Sequence, residues 1–280
     1  MEAESLATFF ASCPLCGCAN VERVISFPEL RFATCCDCGL IYKTHETPEL
    51  RQTLSRGYDE AYFRKGRAQY MRRWAHRVAK CRRQLLSCMQ FVTSPKRLLD
   101  VGCSAGYVLE AAKQLHLEPV GLDIASFAVD LVKERGFEAV VGGLESLPFP
   151  DASFDIITAK HTFEHVSQPA TALCEVFRVL KPGGVAMFVV PDAHYWKAKV
   201  LPKTGRYFVP RELGWQHHAY YSVATLSRAL GQAGLDVRAT HKAVYRKDAV
   251  GLAKLVEPLR YWALRAALAV TAALDRKSVV

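Results

Sequence analysis

The hydrophobic and polar positions along the chain follow two different periods. From residue 96 onward, short apolar runs such as "RLLDVG", "FDIITAK" and "VAMFVVP" alternate with helix-like segments such as "GYVLEAAKQLH" and "ASFAVDLVKERG". Continuous apolar runs are typical of parallel strands that are buried on both faces, and a period of three to four is typical of amphipathic helices. The alternation predicts an α/β domain over residues 96–248 with a doubly wound, mostly parallel sheet.

The segments before this domain have other patterns. Residues 1–45 hold six of the ten cysteines and are predicted to form a separate unit. Residues 46–95 are expected to be a basic helical linker or cap, and one stripe of this segment is expected to pack on the main domain. The members of the stripe, which recur at helical spacing, are Trp74, Val78, Cys81, Leu85 and Cys88.

The regular alternation is interrupted after residue 191. Residues 192–221 are aromatic and rich in histidine, and a long irregular insertion in an α/β domain is typical of an active-site cover. Residues 249–280 are predicted to form a C-terminal helix with its charges in one arc. We expect this helix to pack on the body or on a second subunit, and peripheral contact with a membrane is the alternative.

Composition adds a local excess of positive charge. The formal net charge is +10, and residues 51–97 contain 13 basic and 2 acidic side chains, while the rest of the chain has 24 basic and 25 acidic ones. One segment therefore carries the imbalance. A basic face suits phosphates, nucleic acid or anionic lipid, and a solvated helix face is an equally ordinary explanation.

The start of the chain and its apolar runs bear on location. "MEAESLATFF" has acidic residues where a signal peptide needs basic ones. No uninterrupted apolar stretch reaches the roughly 18 residues of a membrane span. We therefore expect a cytoplasmic protein, with the inner membrane face as a peripheral alternative. In that compartment the cysteines are expected to be thiols or metal ligands and not disulfides.

The cysteines near the start of the chain have metal-ligand spacing. Cys13 and Cys16 are separated by two residues, 18 residues follow, and Cys35 and Cys38 repeat the short gap. Two such knuckles are typical of a zinc ribbon, in which four thiolates surround one ion and leave no open position. The pattern predicts structural zinc. Two further cysteines, Cys18 and Cys36, could replace a ligand within either pair.

A glycine-rich turn follows the first strand of the α/β domain. Asp100 ends that strand, Gly102 and Gly106 flank the turn, and Asp123 ends the next strand. A turn that leads into a helix offers backbone N–H groups to a ligand. An acid at the end of the second strand accepts hydrogen bonds from ribose hydroxyls. Together these positions predict a site for an adenosine-type ligand, whereas the glycines alone would indicate only a tight turn.

The ordered motifs in residues 96–191 resemble those of class I S-adenosylmethionine-dependent methyltransferases. They are "LLDVGCSAGYVLEAA", "VGLDIA", "LESLPFPDASFDIIT", "FEHV" and "EVFRVLKPGG". The ribbon that ends in "CDCGLIY", together with "GWQHHAYYSVATLSRALGQAGLDV", resembles a subgroup with an N-terminal zinc-binding unit. The resemblance implies a Rossmann-like, seven-stranded sheet whose last strand is abbreviated, missing or supplied by another segment in this chain.

The resemblance also implies roles for individual positions. Asp100, Gly102, Ser104 and Gly106 match the loop beside the methionine part of S-adenosylmethionine. Asp123 matches the ribose-binding acid, and Ile124 matches the residue beside the adenine. Leu144 and Glu145 match a segment near the adenine, and Lys160 and His161 lie where a loop approaches the sulfonium. The family often has glycine where Ser104 stands, and a serine with negative φ is expected to leave the site open.

Catalysis needs orientation of the acceptor and, for a hydroxyl acceptor, a base that removes its proton. Histidine is the natural candidate near neutral pH. "KHTFEHV" supplies His161, Glu164 and His165, and the predicted cover supplies His217 and His218. We expect His165 to act as base or substrate contact with His161 as a second candidate, although any one of these histidines could be a packing residue. Glu164 could instead cap or brace the following helix.

Three functions fit these observations. The first is methylation of a small-molecule hydroxyl on a sugar, glycan or lipid-type metabolite, which the subgroup resemblance and the aromatic cover favour. The second is RNA methylation, in which the ribbon and the basic helices would grip phosphates. The third is a binding module that kept the fold without activity, and the presence of Asp100 and Asp123 argues against it. The oligomeric state stays open.

Overall fold

The structure, a computed structural model, describes residues 7–8, 10–26, 30–49, 52, 73–193, 217–245, 263–270 and 277–279. Its first part is a small antiparallel sheet with the order β1-β4-β3-β2. The strands are β1 (Ala7–Thr8), β2 (Val21–Ser26), β3 (Leu30–Cys35) and β4 (Ile41–Glu46). Tight turns at residues 14–16 and 36–38 carry the two cysteine pairs, and this first unit is called the ribbon below, while its identity as a zinc ribbon stays a prediction.

The main sheet has five parallel strands at its centre, in the order β9-β8-β5-β6-β7. These strands are β5 (Arg97–Val101), β6 (Glu118–Asp123), β7 (Glu138–Val141), β8 (Phe154–Lys160) and β9 (Leu180–Pro191). The chain runs outward from β5 to β7 and then returns to β8 on the other side of β5. Ligands of open α/β sheets bind outside the carboxyl ends of the strands at such a switch point, here between β5 and β8.

Helices cover both faces of this sheet, which confirms the doubly wound, Rossmann-like prediction. They are α1 (Trp74–Met89), α2 (Tyr107–Lys113), α3 (Ser126–Lys133), α4 (Pro169–Val179) and α5 (Val223–Gln232). The predicted stripe on α1 packs with α2 against one face, and its four later members, from Val78 to Cys88, are buried. The apolar sides of α4 and α5 pack on the opposite face.

The prediction of seven strands is wrong. Beyond the five central strands, four further described strands join the sheet after residue 234, which makes nine in the part of the chain that the structure describes. They are β11 (Leu235–Val237), β12 (Ala239–Tyr245), β13 (Ala263–Val270) and β14 (Lys277–Val279). Strand β13 pairs antiparallel with β9, and β14 pairs parallel with it.

The C-terminal helix predicted over 249–280 is contradicted at β13 and β14, while residues 246–262 and 271–276 lie outside the described part. Alanine and leucine favour a helix locally, but β13 supplies backbone hydrogen bonds to the open edge of β9, and tertiary pairing overrides such propensities. The proposal of an interfacial membrane helix loses its basis at the same place. No helix within the described ranges is long and apolar enough to cross a bilayer.

The ribbon contacts the main domain through backbone pairing. Strand β10 (Ala219–Tyr220), which directly follows the histidines of the predicted cover, pairs antiparallel with β4 of the ribbon. Thr225 near the start of α5 donates to the carbonyl of Cys38 at 2.9 Å, and Arg228 reaches Asp37 at 2.9 Å. The ribbon therefore holds the segment that begins at residue 217. Residues 194–216 of the predicted cover lie outside the described part, as does most of the basic segment before residue 73.

Candidate active site

The turn after β5 has the shape that its glycines require. Gly102 and Gly106 have φ values of +74° and +87°, in the left-handed region that side chains disfavour. The N–H groups of Gly102 and Cys103 donate to the carbonyl of Leu122 at 2.7 and 3.0 Å, which ties the turn to β6. Thr162 lies over Gly102 and donates to the carbonyl of Val101 at 3.0 Å. The turn is thus held against both neighbouring strands.

Asp100 is buried below this turn and is 3% exposed. Thr158 on β8 donates to its carboxylate at 2.6 Å. Burial raises the pKa of Asp100 to about 7, although the hydrogen bond from Thr158 opposes the shift. A carboxyl group poised in this way changes charge readily when a cation arrives beside it.

Ser104 does not meet the condition of a negative φ under which a serine is expected to leave the site open. Its φ is +48°. The left-handed conformation orients its backbone N–H, which donates to Asp123 Oδ2 at 2.9 Å. The hydrogen bond to Asp123 therefore fixes Ser104 in a backbone conformation that residues other than glycine seldom adopt.

Asp123 ends β6 and connects two parts of the site. Its second oxygen accepts from the N–H of Ala125 at 3.0 Å. Burial raises its pKa, while these backbone hydrogen bonds work in the opposite direction. Ile124, the next residue, is 66% exposed, an unusual exposure for a large apolar side chain. An exposed apolar surface beside a fixed carboxylate suits a purine ring attached to a ribose.

The segment after β7 has one buried and one bracing residue. Leu144 is buried in the core. The Glu145 carboxylate accepts from the backbone N–H and hydroxyl of Ser167, both at 3.0 Å, and from the N–H of Gln168 at 3.4 Å. It thereby satisfies donors at the start of α4. The structure thus gives Glu145 a bracing role, and contact with the adenine stays a prediction.

Two of the predicted catalytic residues lie just beyond the carboxyl end of β8. His161 is in the left-handed region with φ +57°, and its Nδ1 lies 3.3 Å from Glu164 Oε1. Glu164 belongs to a short 3₁₀ turn, Phe163–His165, and is 1% exposed. Burial favours a raised pKa for Glu164, but the hydrogen bond to His161 and the nearby His165 and His217 outweigh it, so the pKa is lowered. Lys160 points to α1, where it donates to Cys81 Sγ at 3.0 Å.

The structure brings the cover histidines to the same place. The rings of His165 and His217 are edge to face with centroids 4.8 Å apart. The N–H of His218 donates to the carbonyl of Glu164 at 2.8 Å. Burial lowers the pKa of both His217 and His218 to about 4, so both imidazoles are neutral near pH 7. Residues 161–165 and 217–218 therefore form one polar cluster beside β8.

Two buried charged residues next to the histidine cluster are not predicted from the sequence. Lys43 and Glu46 on β4 form an ion pair of 2.9 Å with side chains only 1% and 3% exposed. The backbone N–H of Lys43 donates to the carbonyl of His218 at 2.9 Å, so the ribbon contributes charge next to the histidine cluster. A single lysine in "IYKTHE" carries no signal of burial, because the burial follows from the pairing of β4 with β10, which begins far along the chain at Ala219.

The predicted metal ligands converge. The four sulfur atoms of Cys13, Cys16, Cys35 and Cys38 lie within 4.8 Å of one another. Cys13 is 3.6 Å from Cys38 and Cys16 is 3.5 Å from Cys35, close to the roughly 3.8 Å between thiolates that share a tetrahedral zinc at about 2.3 Å. The extra pair, Cys18 and Cys36, lies outside this set with its sulfurs 3.6 Å apart.

Comparisons with known proteins agree with this architecture. The family described as "Methyltransferase domain" matches residues 68–240. YcgJ of Bacillus subtilis, an uncharacterized methyltransferase, is 41% identical over 106 residues, which are 35% of this chain and 41% of that protein. The ubiquinone biosynthesis O-methyltransferase of Thiobacillus denitrificans is 26% identical over 151 residues, 50% of this chain and 65% of that protein.

Two solved structures show the same fold. A methyltransferase of Thermotoga maritima has a TM-score of 0.51 at 19% identity and covers 77% of this chain and 98% of its own. One of Methanosarcina mazei has a TM-score of 0.50 at 18% identity and covers 69% and 97%. Fold and site define an S-adenosylmethionine-dependent methyltransferase domain, and the chain belongs to that family. The matches span only about two fifths to half of the first curated relatives.

Replacing Gly102 with alanine is expected to destabilise the fold by about 2–4 kcal/mol, because left-handed strain and overpacking add. The new Cβ would collide with Thr162 Oγ1. Gly183→Ala is the matched control, since Gly183 has φ +73° and no described atom within 4 Å of its added Cβ. It isolates the left-handed cost of about 1–2 kcal/mol. Urea unfolding measures both, and equal losses would show that the Thr162 contact is unimportant.

Proposed function

We propose that the protein transfers the methyl group of S-adenosylmethionine to a hydroxyl oxygen of a small molecule, of the sugar, glycan or lipid type. The observation that carries the proposal is the cluster of His161, Glu164 and His165 at the carboxyl end of β8, next to the predicted cofactor edge. Bound there, the cofactor would supply an activated methyl group. Relatives named for ubiquinone biosynthesis and for malonyl-acyl-carrier-protein O-methylation support an oxygen acceptor of low molecular weight or on a carrier.

The residues would divide the work of binding the cofactor. Asp123 would accept from the ribose hydroxyls, and Ile124 would cover the adenine, with Leu144 packed beneath and Glu145 near it. Asp100 and the turn from Gly102 through Ser104 to Gly106 would hold the methionine part. The raised pKa of Asp100 suits a neighbour of the cofactor's ammonium group, because a cation would favour the charged carboxylate.

The acceptor would lie between the turn and the histidine cluster. The bound cofactor would supply the methyl group to the acceptor's hydroxyl oxygen and keep the electron pair of the broken carbon–sulfur bond, and His161 or His165 would accept the hydroxyl proton. Glu164 orients His161 through the 3.3 Å contact. We favour His161 as the base because its side chain is 34% exposed and can meet an acceptor.

The cysteine cluster would hold a structural zinc ion. Cys13, Cys16, Cys35 and Cys38 supply the four thiolates that a closed tetrahedral site needs. Gly17 and Gly39 follow the knuckles with φ values of +75° and +71° and donate to the carbonyls of Cys13 and Cys35. The zinc would not take part in methyl transfer. The ion would instead hold β4 in place, and β4 in turn would hold the segment at residues 217–220 through backbone pairing.

RNA is the second candidate acceptor, because α1 carries exposed basic side chains and one human relative is named as a tRNA methyltransferase. Labelled S-adenosylmethionine offered to total RNA and to a panel of sugars, glycans and quinols separates the candidates. We expect label in the small molecules. We expect the double replacement Arg82→Glu and Arg83→Glu to leave that transfer unchanged, since phosphate gripping is not required. Label found only in RNA, and lost in the double variant, would reverse the assignment.

The base is tested on the acceptor that this panel identifies. His161→Ala is expected to lower kcat by about 10²–10⁴ with S-adenosylmethionine saturating, the usual contribution of a general base. His76→Ala, on the exposed side of α1, is the control and should retain full activity. A His161→Ala enzyme with unchanged kcat would refute the assignment of the base to His161.

A further inference from the structure

We propose that Glu164, His165 and His217 form a second metal centre, distinct from the cysteine cluster, for a divalent first-row transition ion. Binding of the ion does not depend on the proposed function. Only the binding of the acceptor's oxygen to the ion rests on that function.

The ligand atoms of the three side chains converge. One carboxylate oxygen and one nitrogen from each imidazole lie within 4.8 Å of one another. Metal ligands at about 2.1 Å from a tetrahedral ion are about 3.4 Å apart, so small side-chain rotations would close the set. The residues come from two separate segments. Glu164 and His165 lie in the turn after β8, and His217 lies two residues before β10. A backbone hydrogen bond of 2.8 Å, from the N–H of His218 to the carbonyl of Glu164, holds these segments together.

The Glu164 carboxylate lies in an environment that leaves one of its oxygens without a donor among the described residues. Its Oε1 faces His161, but Oε2 is fully buried and has no hydrogen-bond partner among the described residues. A buried carboxylate oxygen without a donor is costly, and an ion would satisfy it. The same holds for Nδ1 of His217, which is also buried and has no partner in the described part of the chain. Two buried polar atoms without a partner among the described residues therefore belong to members of this cluster.

The 3.3 Å contact between His161 Nδ1 and Glu164 Oε1 would support the ligand set. His161 would remain outside the ligand set and orient Glu164 through its other oxygen, as an outer-sphere partner of a ligating carboxylate does. A doubly charged ion would also balance the buried negative charge of Glu164.

The ligand types select the ion. Two imidazoles and one carboxylate suit Zn²⁺, Fe²⁺, Co²⁺ or Ni²⁺, whereas Mg²⁺ and Ca²⁺ prefer oxygen ligands alone. Three protein ligands leave at least one open position. If the acceptor is a hydroxyl, that position would bind its oxygen, lower the pKa of its proton and hold it for attack on the methyl carbon. The site would then favour acceptors with two adjacent oxygens that can chelate the ion.

Metal content of the intact protein tests the proposal. Protein stripped of metal, reconstituted with excess Zn²⁺ and desalted is expected to hold two equivalents by mass spectrometry. His217→Ala and Glu164→Gln should each hold one, and the control His76→Ala should hold two. A wild-type protein that holds one equivalent, and loses none in the two variants, would overturn the proposal.

A cobalt titration of the wild-type protein keeps the test valid if the variants fail to fold. Cobalt at the four thiolates gives strong charge-transfer absorption, and a second equivalent at nitrogen and oxygen ligands should add only weak visible bands. Saturation at one equivalent would contradict the site. If the protein binds two ions but methylates no hydroxyl, the metal site is supported and the proposed function is refuted. If it methylates a hydroxyl with one bound ion, the function is supported and the metal site is refuted.

Discussion

Asp123→Ala is expected to lower the affinity for S-adenosylmethionine by about 100-fold or more, because the two charge-assisted hydrogen bonds proposed between Asp123 and the ribose, each about 1.5–3 kcal/mol, would be lost. The same carboxylate accepts from the N–H groups of Ser104 and Ala125, so the turn that would hold the methionine part is released as well. Titration calorimetry on the purified protein measures the loss directly.

Asp130→Ala is the matched control for this measurement. Asp130 is exposed on α3, seven residues further along the chain than Asp123. Its replacement by alanine removes the same charge from the same region of the protein. We expect its affinity to stay within about twofold of wild type, since an exposed charge at this distance is largely screened. Equal affinities for the wild type and both variants would mean that the ribose does not lie on Asp123.

Cys35→Ser is expected to abolish metal binding at the ribbon and to destabilise the protein by more than about 3 kcal/mol, because structural zinc contributes folding free energy directly. Cys36→Ser is the control: its thiol is exposed and lies outside the set of four converging sulfurs. Zinc content and thermal unfolding measure both variants. Loss of zinc in Cys36→Ser would show that the extra pair supplies a ligand.

The effect of zinc loss should reach the active site. Strand β4 pairs with β10, and the N–H of Lys43 donates to the carbonyl of His218. Release of the ribbon therefore frees His217 and His218, and we expect acceptor turnover to fall while affinity for S-adenosylmethionine changes little. Cofactor binding that is lost together with zinc would contradict this separation of roles.

The sequence predicts best where short-range spacing dictates the structure. Asp100, Gly102 and Gly106 must be a strand end and a turn because their backbone requirements are local, and Asp123 recurs at the end of the next strand for the same reason. The cysteine pairs are equally local, since a two-residue gap already brings two thiolates together. The turn after β5 and Asp123 form the predicted cofactor site, and the cysteine pairs form the predicted metal site.

The features that the sequence does not reveal are set by distant partners. Residues 263–270 form a strand because β9 offers an open edge, although their composition favours a helix. Ser104 takes positive φ because Asp123 binds its N–H. Glu145 turns to Ser167, and Lys43 is buried by a strand from the far end of the domain. In each case a long-range contact outweighs the local preference.

A crystal structure with bound S-adenosylhomocysteine tests the central claim most directly, namely that the carboxyl edge of β5, β6 and β8 holds the cofactor and faces the histidine cluster. We predict the ribose hydroxyls on Asp123, the adenine against Ile124 and the sulfur directed at the side of His161. A ligand bound elsewhere, or at this edge with its sulfur turned away from residues 161–165, would contradict the account.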